Sequence, residues 1–442
     1  MEDYIDLKNN YYFIPYLDTV AFCKNSIPNL ERLDYLIGDG HGYFNKSPFV
    51  DTAKIFPTDI SLFISGACSM RCSYCYYSSG ENTKEPELSV EELDLIIKYL
   101  IKNAKIRRLV GNLPSDIYVT LTGGGEPTHN WNHFTYFVRK LRDTAKEDKI
   151  HVAYHVITNG VLTDEKRKFL CDNIDYIQIS YDGLSEIQNE NRKLRDGSKS
   201  ANVVEETMKF FSENRKEFHV RTTIRPLDYT KIFEMAMNIF EKYSYAIQYH
   251  IEPLQYTGRG KNLEKDSQAD NMLFINEYIR TQQAMLEKFP DRKFYCSLFT
   301  YKDINVSCSS ITGESPIIDN NGILFPCSDR LDPGTQSLGE IVDGNIKIRN
   351  KSFFEKQYRG MKSTECNRCK YFTLCGGGCF SVFKRDENGE LLPEGRVRCD
   401  LLKRYWDIAF EKLCNEKIFL DIRLELQSEM GDWDLYSIRY RQ

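Results

Sequence analysis

The sequence has no run of 18 or more apolar residues, so it offers no candidate membrane-spanning helix. Its first residues, Met-Glu-Asp-Tyr-Ile-Asp, lack the basic start and apolar run of an export signal, and a cytoplasmic protein is expected. Excess positive charge is missing too. Lys and Arg number 59 against 64 Asp and Glu, a net charge of -5, which gives nucleic acid no broad basic surface. Histidine is sparse, and the seven present form no ligand set that their spacing identifies. Internal repeats and low-complexity segments are absent.

What remains is an ordinary globular composition with unusual cysteines. The 442 residues are 41% hydrophobic and 28% charged, enough chain for two or three domains with real cores. Fourteen cysteines in a chain with no export signal are poor disulfide candidates, so metal or redox chemistry is expected. They cluster, whereas buried structural cysteines would scatter. Cys68, Cys72 and Cys75 form one group, and Cys296 to Cys399 hold eight more. Cys23, Cys171 and Cys414 are left over, the last two as core thiols in apolar helix stretches.

Residues 1–55 read as an N-terminal extension of mixed aromatic and charged character, with a turn at 38–42. From Ile60, apolar strands alternate with helices to Ile251. Ser89 and Glu92 form a capping box, followed by Leu93, Ile96, Ile97 and Leu100 on one helical face. Six strands separated by helices predict a parallel α/β sheet or barrel over 56–255, with its site at the carboxyl ends of the strands. The motif-like residues fall there: the cysteine loop, Gly123-Gly-Gly-Glu-Pro127, Thr158-Asn-Gly160 and Ser180-Tyr-Asp-Gly183. Residues 256–293 read as a bridging helical segment. Residues 294–414 exchange helix rhythm for cysteines, glycines and turns, implying a metal-held second domain. The tail, 415–442, is charged and alternating, with no chemistry the residues identify.

The loop Ser65-Gly-Ala-Cys-Ser-Met-Arg-Cys-Ser-Tyr-Cys-Tyr-Tyr77 carries a C-x3-C-x2-C spacing. Three thiolates can hold three corners of a four-iron cluster and leave one iron open, because such clusters normally take four. On spacing alone, zinc remains an alternative, since thiolates suit it as well. In context the loop resembles that of the radical S-adenosylmethionine (SAM) superfamily. Tyr74 stands at the aromatic position before the third cysteine, and Gly124 to Pro127 match the Gly-Gly-Glu-Pro strand end. The resemblance implies a partial (β/α)6 barrel and an open iron that chelates SAM. Reductive cleavage of SAM then gives a 5′-deoxyadenosyl radical that abstracts a substrate hydrogen. It also implies that Gly124, Gly125 and Glu126 meet the methionine amino group, and the Tyr74 region the adenine. Ser180 and Arg192 are expected at the SAM carboxylate and ribose.

Cys366-x2-Cys369-x5-Cys375-x3-Cys379, with Cys399 downstream and Cys308 and Cys327 upstream, is similar to the SPASM domain. That resemblance implies two auxiliary four-iron clusters, three clusters in all. Cys308, Cys327 and Cys379 would hold the first, with Cys296 as an added ligand; Cys366, Cys369, Cys375 and Cys399 would hold the second. A pair of structural zinc sites is the alternative.

SPASM relatives mostly modify ribosomal peptides or proteins by crosslinks, thioethers or side-chain changes. The expected function is therefore a peptide maturase acting on a precursor peptide, supplied with electrons by a donor such as flavodoxin or ferredoxin. The first 55 residues are short for a winged-helix recognition domain, so recognition of the leader by a separate small peptide-recognition protein, or by another surface, is expected. The alternatives are a formylglycine-forming sulfatase maturase and a non-catalytic Fe–S or zinc-stapled protein. The sulfatase branch places an aspartate directly after the second cysteine of the auxiliary set, whereas Cys327 is followed by Ser328, with Asp329 one residue later.

Overall fold

A computed structural model describes residues 5–7, 10–14, 19–24, 56–79, 86–110, 115–268, 271–300, 315–327, 337–342, 345–348, 369, 371–375, 378–379, 390–430 and 433–440. The chain divides into two compact units. One comprises Met1–Phe49, Leu298–Cys308 and Lys356–Gln442, the other Val50–Ser297 and Ser309–Glu355. Cys308 and Cys366, two of the expected ligands, lie outside the described residues.

The first unit is built on a six-stranded antiparallel sheet. β1 (Ile5–Asp6), β2 (Tyr11–Ile14) and β3 (Thr19–Cys23) are its N-terminal strands. The C-terminal strands of the chain complete it. Thr19 of β3 pairs with Ser437, and Cys23 with Trp433. The segment that reads as a charged tail is thus a hairpin, and both chain ends share one sheet.

The second unit holds the expected α/β series. Its strands are β4 (Asp59–Phe63), β5 (Ile117–Thr122), β6 (Val152–Thr158), β7 (Tyr176–Ser180), β8 (Phe218–Ile224) and β9 (Ala246–Pro253). All pair in parallel with their sequence neighbours. The helices between them bury their apolar faces: Phe134, Phe137, Val138 and Leu141 in Trp131–Glu147, and Met235, Ala236, Ile239 and Phe240 in Ile232–Lys242. The capping box is present. Ser89 N donates to Glu92 Oε2 at 2.7 Å, and Glu92 N to Ser89 Oγ at 3.2 Å.

The sheet extends beyond six strands at both edges. β10 (Lys293–Tyr295) adds in parallel to β9. β11 (Ile317–Ile318) adds in parallel to β4 and leads into the antiparallel strands β12 (Ile323–Phe325), β13 (Gly339–Val342) and β14 (Asn345–Ile348). β10 and β14 are the two ends of the strand order, so the barrel is partial, as expected.

In the first unit, the helix Pro393–Glu416 ends at Lys417 in a left-handed conformation (φ 63°). Its residues Trp406, Ala409 and Leu413 are fully buried, and Tyr405 stacks on Phe299 at 4.1 Å. The strands β15 (Ile418–Phe419), β16 (Ile422–Met430) and β17 (Trp433–Tyr440) follow. In β16, Ile422 and Leu424 are buried on alternate positions, and an irregularity between Leu426 and Ser428 breaks the alternation.

Candidate active site

Cys68, Cys72 and Cys75 all line one cavity of about 400 Å³. Gly123 to Glu126 line it from β5, Thr158 and Asn159 from β6, Gln178 and Ser180 from β7, and Arg192 from the segment after β7. Every residue expected at the cluster or SAM therefore faces the same space at the carboxyl ends of the strands. Tyr74 lines it too, buried at 8% exposure.

The cysteine loop is irregular, so its backbone must find partners elsewhere. Arg71 N donates to Lys193 O and Ser73 N to Asn191 O, both at 2.8 Å. Arg195 N donates to Ser69 O at 2.9 Å. On another side Arg259 donates from Nε to Cys72 O and from Nη1 to Ser79 O, each at 2.8 Å. Asn159 Nδ2 reaches Ser69 Oγ at 3.1 Å and Cys68 Sγ at 3.5 Å.

The thiols sit in a desolvated setting. Burial pushes Cys68 up to about 12, with the neighbouring Cys72 and Glu126 adding to it. Burial pushes Cys72 up to about 11, while Arg192 and Arg259 oppose the rise. Such thiols hold their protons at neutral pH until a metal ion displaces them.

The glycines are a matter of space. A Cβ on Gly125 would lie 2.1 Å from Ala67 O, and Glu126 N donates to Ala67 O at 2.8 Å. The strand end thus lies against the backbone that precedes Cys68. A Cβ on Gly124 would meet the Tyr77 ring at 2.5 Å.

Glu126 is 3% exposed and accepts four hydrogen bonds. Oε1 takes Thr128 N, Thr128 Oγ1 and Thr158 Oγ1; Oε2 takes Asn159 N at 2.7 Å. Burial raises its pKa and these bonds oppose the rise. The carboxylate fastens the ends of β5 and β6 together.

Asp182 is a residue that sequence reasoning passed over. It is wholly buried and accepts from Tyr74 Oη at 2.5 Å, Arg192 Nε at 2.9 Å and Asn191 Nδ2 at 3.2 Å. The Arg192 guanidinium stands 5.1 Å from the centre of the Tyr74 ring. Arg192 is thus a buried, ion-paired cation at the cavity wall rather than a solvated one. The available signal was Asp182's place in the Ser180-Tyr-Asp-Gly183 stretch. Arg259 left no such signal, since 256–293 read only as a bridging helical segment.

The remaining cavity wall is polar. Arg221 and Thr223 of β8 and Glu252 of β9 line it. His250 Nε2 lies 2.8 Å from Glu252 Oε1, and Ser297 N donates to the same oxygen at 2.7 Å. These bonds and charges hold Glu252 down to about 2 despite its burial. Cys296 is fully buried with its Sγ 3.9 Å from Glu252 Oε1, in the barrel unit. Cys327 follows β12 in that unit. Cys369, Cys375, Cys379 and Cys399 belong to the first unit, where burial raises Cys399 and the nearby Cys369 adds to the rise. None of the described cysteines is in a disulfide. His129 is exposed, before the helix that starts at Trp131.

A family model for the radical SAM superfamily matches residues 62–236. The chain is 24% identical over 381 residues to a cysteine-type anaerobic sulfatase-maturating enzyme of Clostridium perfringens, spanning 79% of this chain and 95% of the relative. It is 23% identical over 373 residues to the radical SAM cyclopropyl synthase TigE of Paramaledivibacter caminithermalis, spanning 78% and 72%. Among solved structures, native anSMEcpe with bound AdoMet and Kp18Cys peptide superposes with a TM-score of 0.61 at 20% identity, covering 81% of this chain and 98% of the other. Streptococcus suis SuiB bound to precursor peptide SuiA gives 0.51 at 16%, covering 82% and 80%. The donor set fits the group this superfamily carries: three thiols and a bare glycine strand end wall one cavity, and SAM with a [4Fe–4S] cluster is the cofactor pair of the family. Residues 62–236 are therefore a radical SAM domain.

Proposed function

We propose that the chain is a radical SAM maturase that modifies a ribosomal precursor peptide. The observation that carries this reading is the shared cavity of Cys68, Cys72, Cys75, Gly124 and Gly125. Those three cysteines hold the SAM-binding cluster. When bound, cluster and SAM supply a 5′-deoxyadenosyl radical that takes a hydrogen atom from the substrate.

The chain's own residues bind, orient and exclude water. Gly124 and Gly125 leave the strand end free of side chains for the methionine amino group. Glu126 serves that contact through its backbone, because its carboxylate accepts from Thr128, Thr158 and Asn159. Ser180 and Arg192 take the carboxylate and ribose, with Asp182 fixing the guanidinium. Tyr74 walls the adenine side.

The cysteine-rich region from Cys296 to Cys399 is a SPASM module with two auxiliary clusters. Cys296, Cys308, Cys327 and Cys379 hold one; Cys366, Cys369, Cys375 and Cys399 hold the other. The electrostatic reach between Cys369 and Cys399 supports the second set. An external donor such as flavodoxin or ferredoxin supplies the electron, and a separate small protein presents the peptide.

A sulfatase-maturating activity is the second reading, favoured by a relative of that kind matched over 95% of its length. Ser328 after Cys327 stands against it. Anaerobic incubation with SAM and dithionite tests both. A peptide encoded beside the gene and a cysteine-bearing sulfatase peptide serve as substrates, read by mass spectrometry. Modification of the first supports the maturase reading; formylglycine in the second replaces it.

A further inference from the structure

We infer that Arg259 is an electrostatic positioning residue of the cysteine loop, whose fixed charge raises the reduction potential of the cluster proposed at Cys68, Cys72 and Cys75. The inference rests on that cluster reading.

Three bonds from one residue converge on the loop. Arg259 Nε donates to Cys72 O at 2.8 Å, Nη1 to Ser79 O at 2.8 Å, and the backbone N to Cys75 O at 3.0 Å. The bonds therefore bracket the second and third cysteines and end on neutral carbonyls. Arg259 also lines the cavity that the three cysteines share.

The approach is built into the backbone. Gly258 is left-handed (φ 51°), and a Cβ there would lie 2.3 Å from both Cys75 O and Tyr76 O. These are backbone atoms, so any side chain at 258 would push the segment off the loop. Gly260 N donates to Thr257 O at 2.8 Å and closes the turn. The turn thus presses its arginine onto the cysteine loop from a different segment than the one containing Arg192.

Backbone N–H groups brace carbonyls elsewhere in this loop, so these three bonds do not by themselves require a charged donor. A guanidinium adds a cation that cannot be deprotonated. Reducing a cluster adds negative charge, and a fixed cation in a poorly solvated setting favours that step. Cluster potentials follow net charge, hydrogen bonding and solvent exposure.

The test uses the full chain, reconstituted anaerobically, as wild type, Arg259→Gln and Arg259→Lys. Redox titration followed by electron paramagnetic resonance tracks the signal that shifts on adding SAM. At the potential where the wild-type cluster is half reduced, the reduced-to-oxidised ratio should fall more than threefold in Arg259→Gln. It should stay within threefold of wild type in Arg259→Lys. An unchanged ratio in Arg259→Gln, or an equal fall in both, overturns the inference. If Arg259→Gln takes up no cluster, the lysine variant decides. A wild-type ratio there supports the charge, and loss of the cluster there makes Arg259 a structural brace and overturns it. A wild type with no SAM-responsive signal overturns the cluster reading instead, which keeps the two failures apart.

Discussion

The Tyr74 hydroxyl donates a 2.5 Å hydrogen bond to Asp182 Oδ2, and so ties the cysteine loop to the end of β7. Asp182 also carries Arg192, so the three residues form one buried unit. Asp182→Asn leaves the Arg192 guanidinium buried without its counter-charge, at a cost of about 3–5 kcal/mol. Tyr74→Phe removes one hydrogen bond and costs about 1–3 kcal/mol. Thermal denaturation under argon should rank Asp182→Asn well below Tyr74→Phe. Equal melting temperatures for the two variants would refute the hub role of Asp182.

Gly125 and Gly124 should respond differently to alanine. At Gly125 the new Cβ meets backbone, 2.1 Å from Ala67 O and 2.5 Å from Gly66 C. At Gly124 it meets the Tyr77 side chain. Each single variant should bind SAM at least about tenfold more weakly, the loss of roughly 1.4 kcal/mol. Adding Tyr77→Ala should restore part of the loss in Gly124→Ala and none of it in Gly125→Ala. Equilibrium dialysis against labelled SAM measures both.

Glu126 is expected to matter for structure more than for charge. Glu126→Ala leaves Thr128 N, Thr128 Oγ1, Thr158 Oγ1 and Asn159 N without their acceptor. Each buried donor left unmade costs about 1–3 kcal/mol, so the barrel unit should lose several kcal/mol. Urea denaturation followed by circular dichroism checks this; a loss under about 1 kcal/mol contradicts the account.

The buried thiols set an alkaline limit for the metal-free chain. Cys68 at about 12 and Cys72 at about 11 lie above the ordinary value of 9.0, so folding favours the protonated form. That contribution is complete below pH 9 and is lost as pH rises from there through the folded values. Metal-free wild type should therefore lose stability between about pH 9 and pH 12 more steeply than the Cys68→Ala/Cys72→Ala double variant. Parallel denaturation curves at pH 8, 9 and 10 measure the difference in slope. Identical slopes would show that the thiols are not desolvated.

Much of the barrel was legible in the sequence because its signals are local. The strands β4 to β9 follow the strand–helix alternation expected from Ile60 to Ile251, and the Ser89–Glu92 box is formed by residues three apart. The cysteines and the glycine strand end were legible as spacing. What escaped was long-range. β3 pairs with β17 across most of the chain, and nothing in Thr19–Cys23 specifies that partner. β11 is two residues long, too short to show a period. Asp182 and Arg259 act by reaching Tyr74 and the Cys72 carbonyl from other segments, contacts that no spacing in their own stretches records.

The most direct measurement is SAM cleavage. The anaerobically reconstituted chain is incubated with SAM and dithionite, and 5′-deoxyadenosine is quantified by mass spectrometry beside the Cys72→Ala variant. The account predicts 5′-deoxyadenosine from the wild type and none above background from Cys72→Ala, with part of the iron retained in that variant by the other cysteines. Iron-loaded wild type that forms no 5′-deoxyadenosine, or a Cys72→Ala variant that forms as much as wild type, would contradict it.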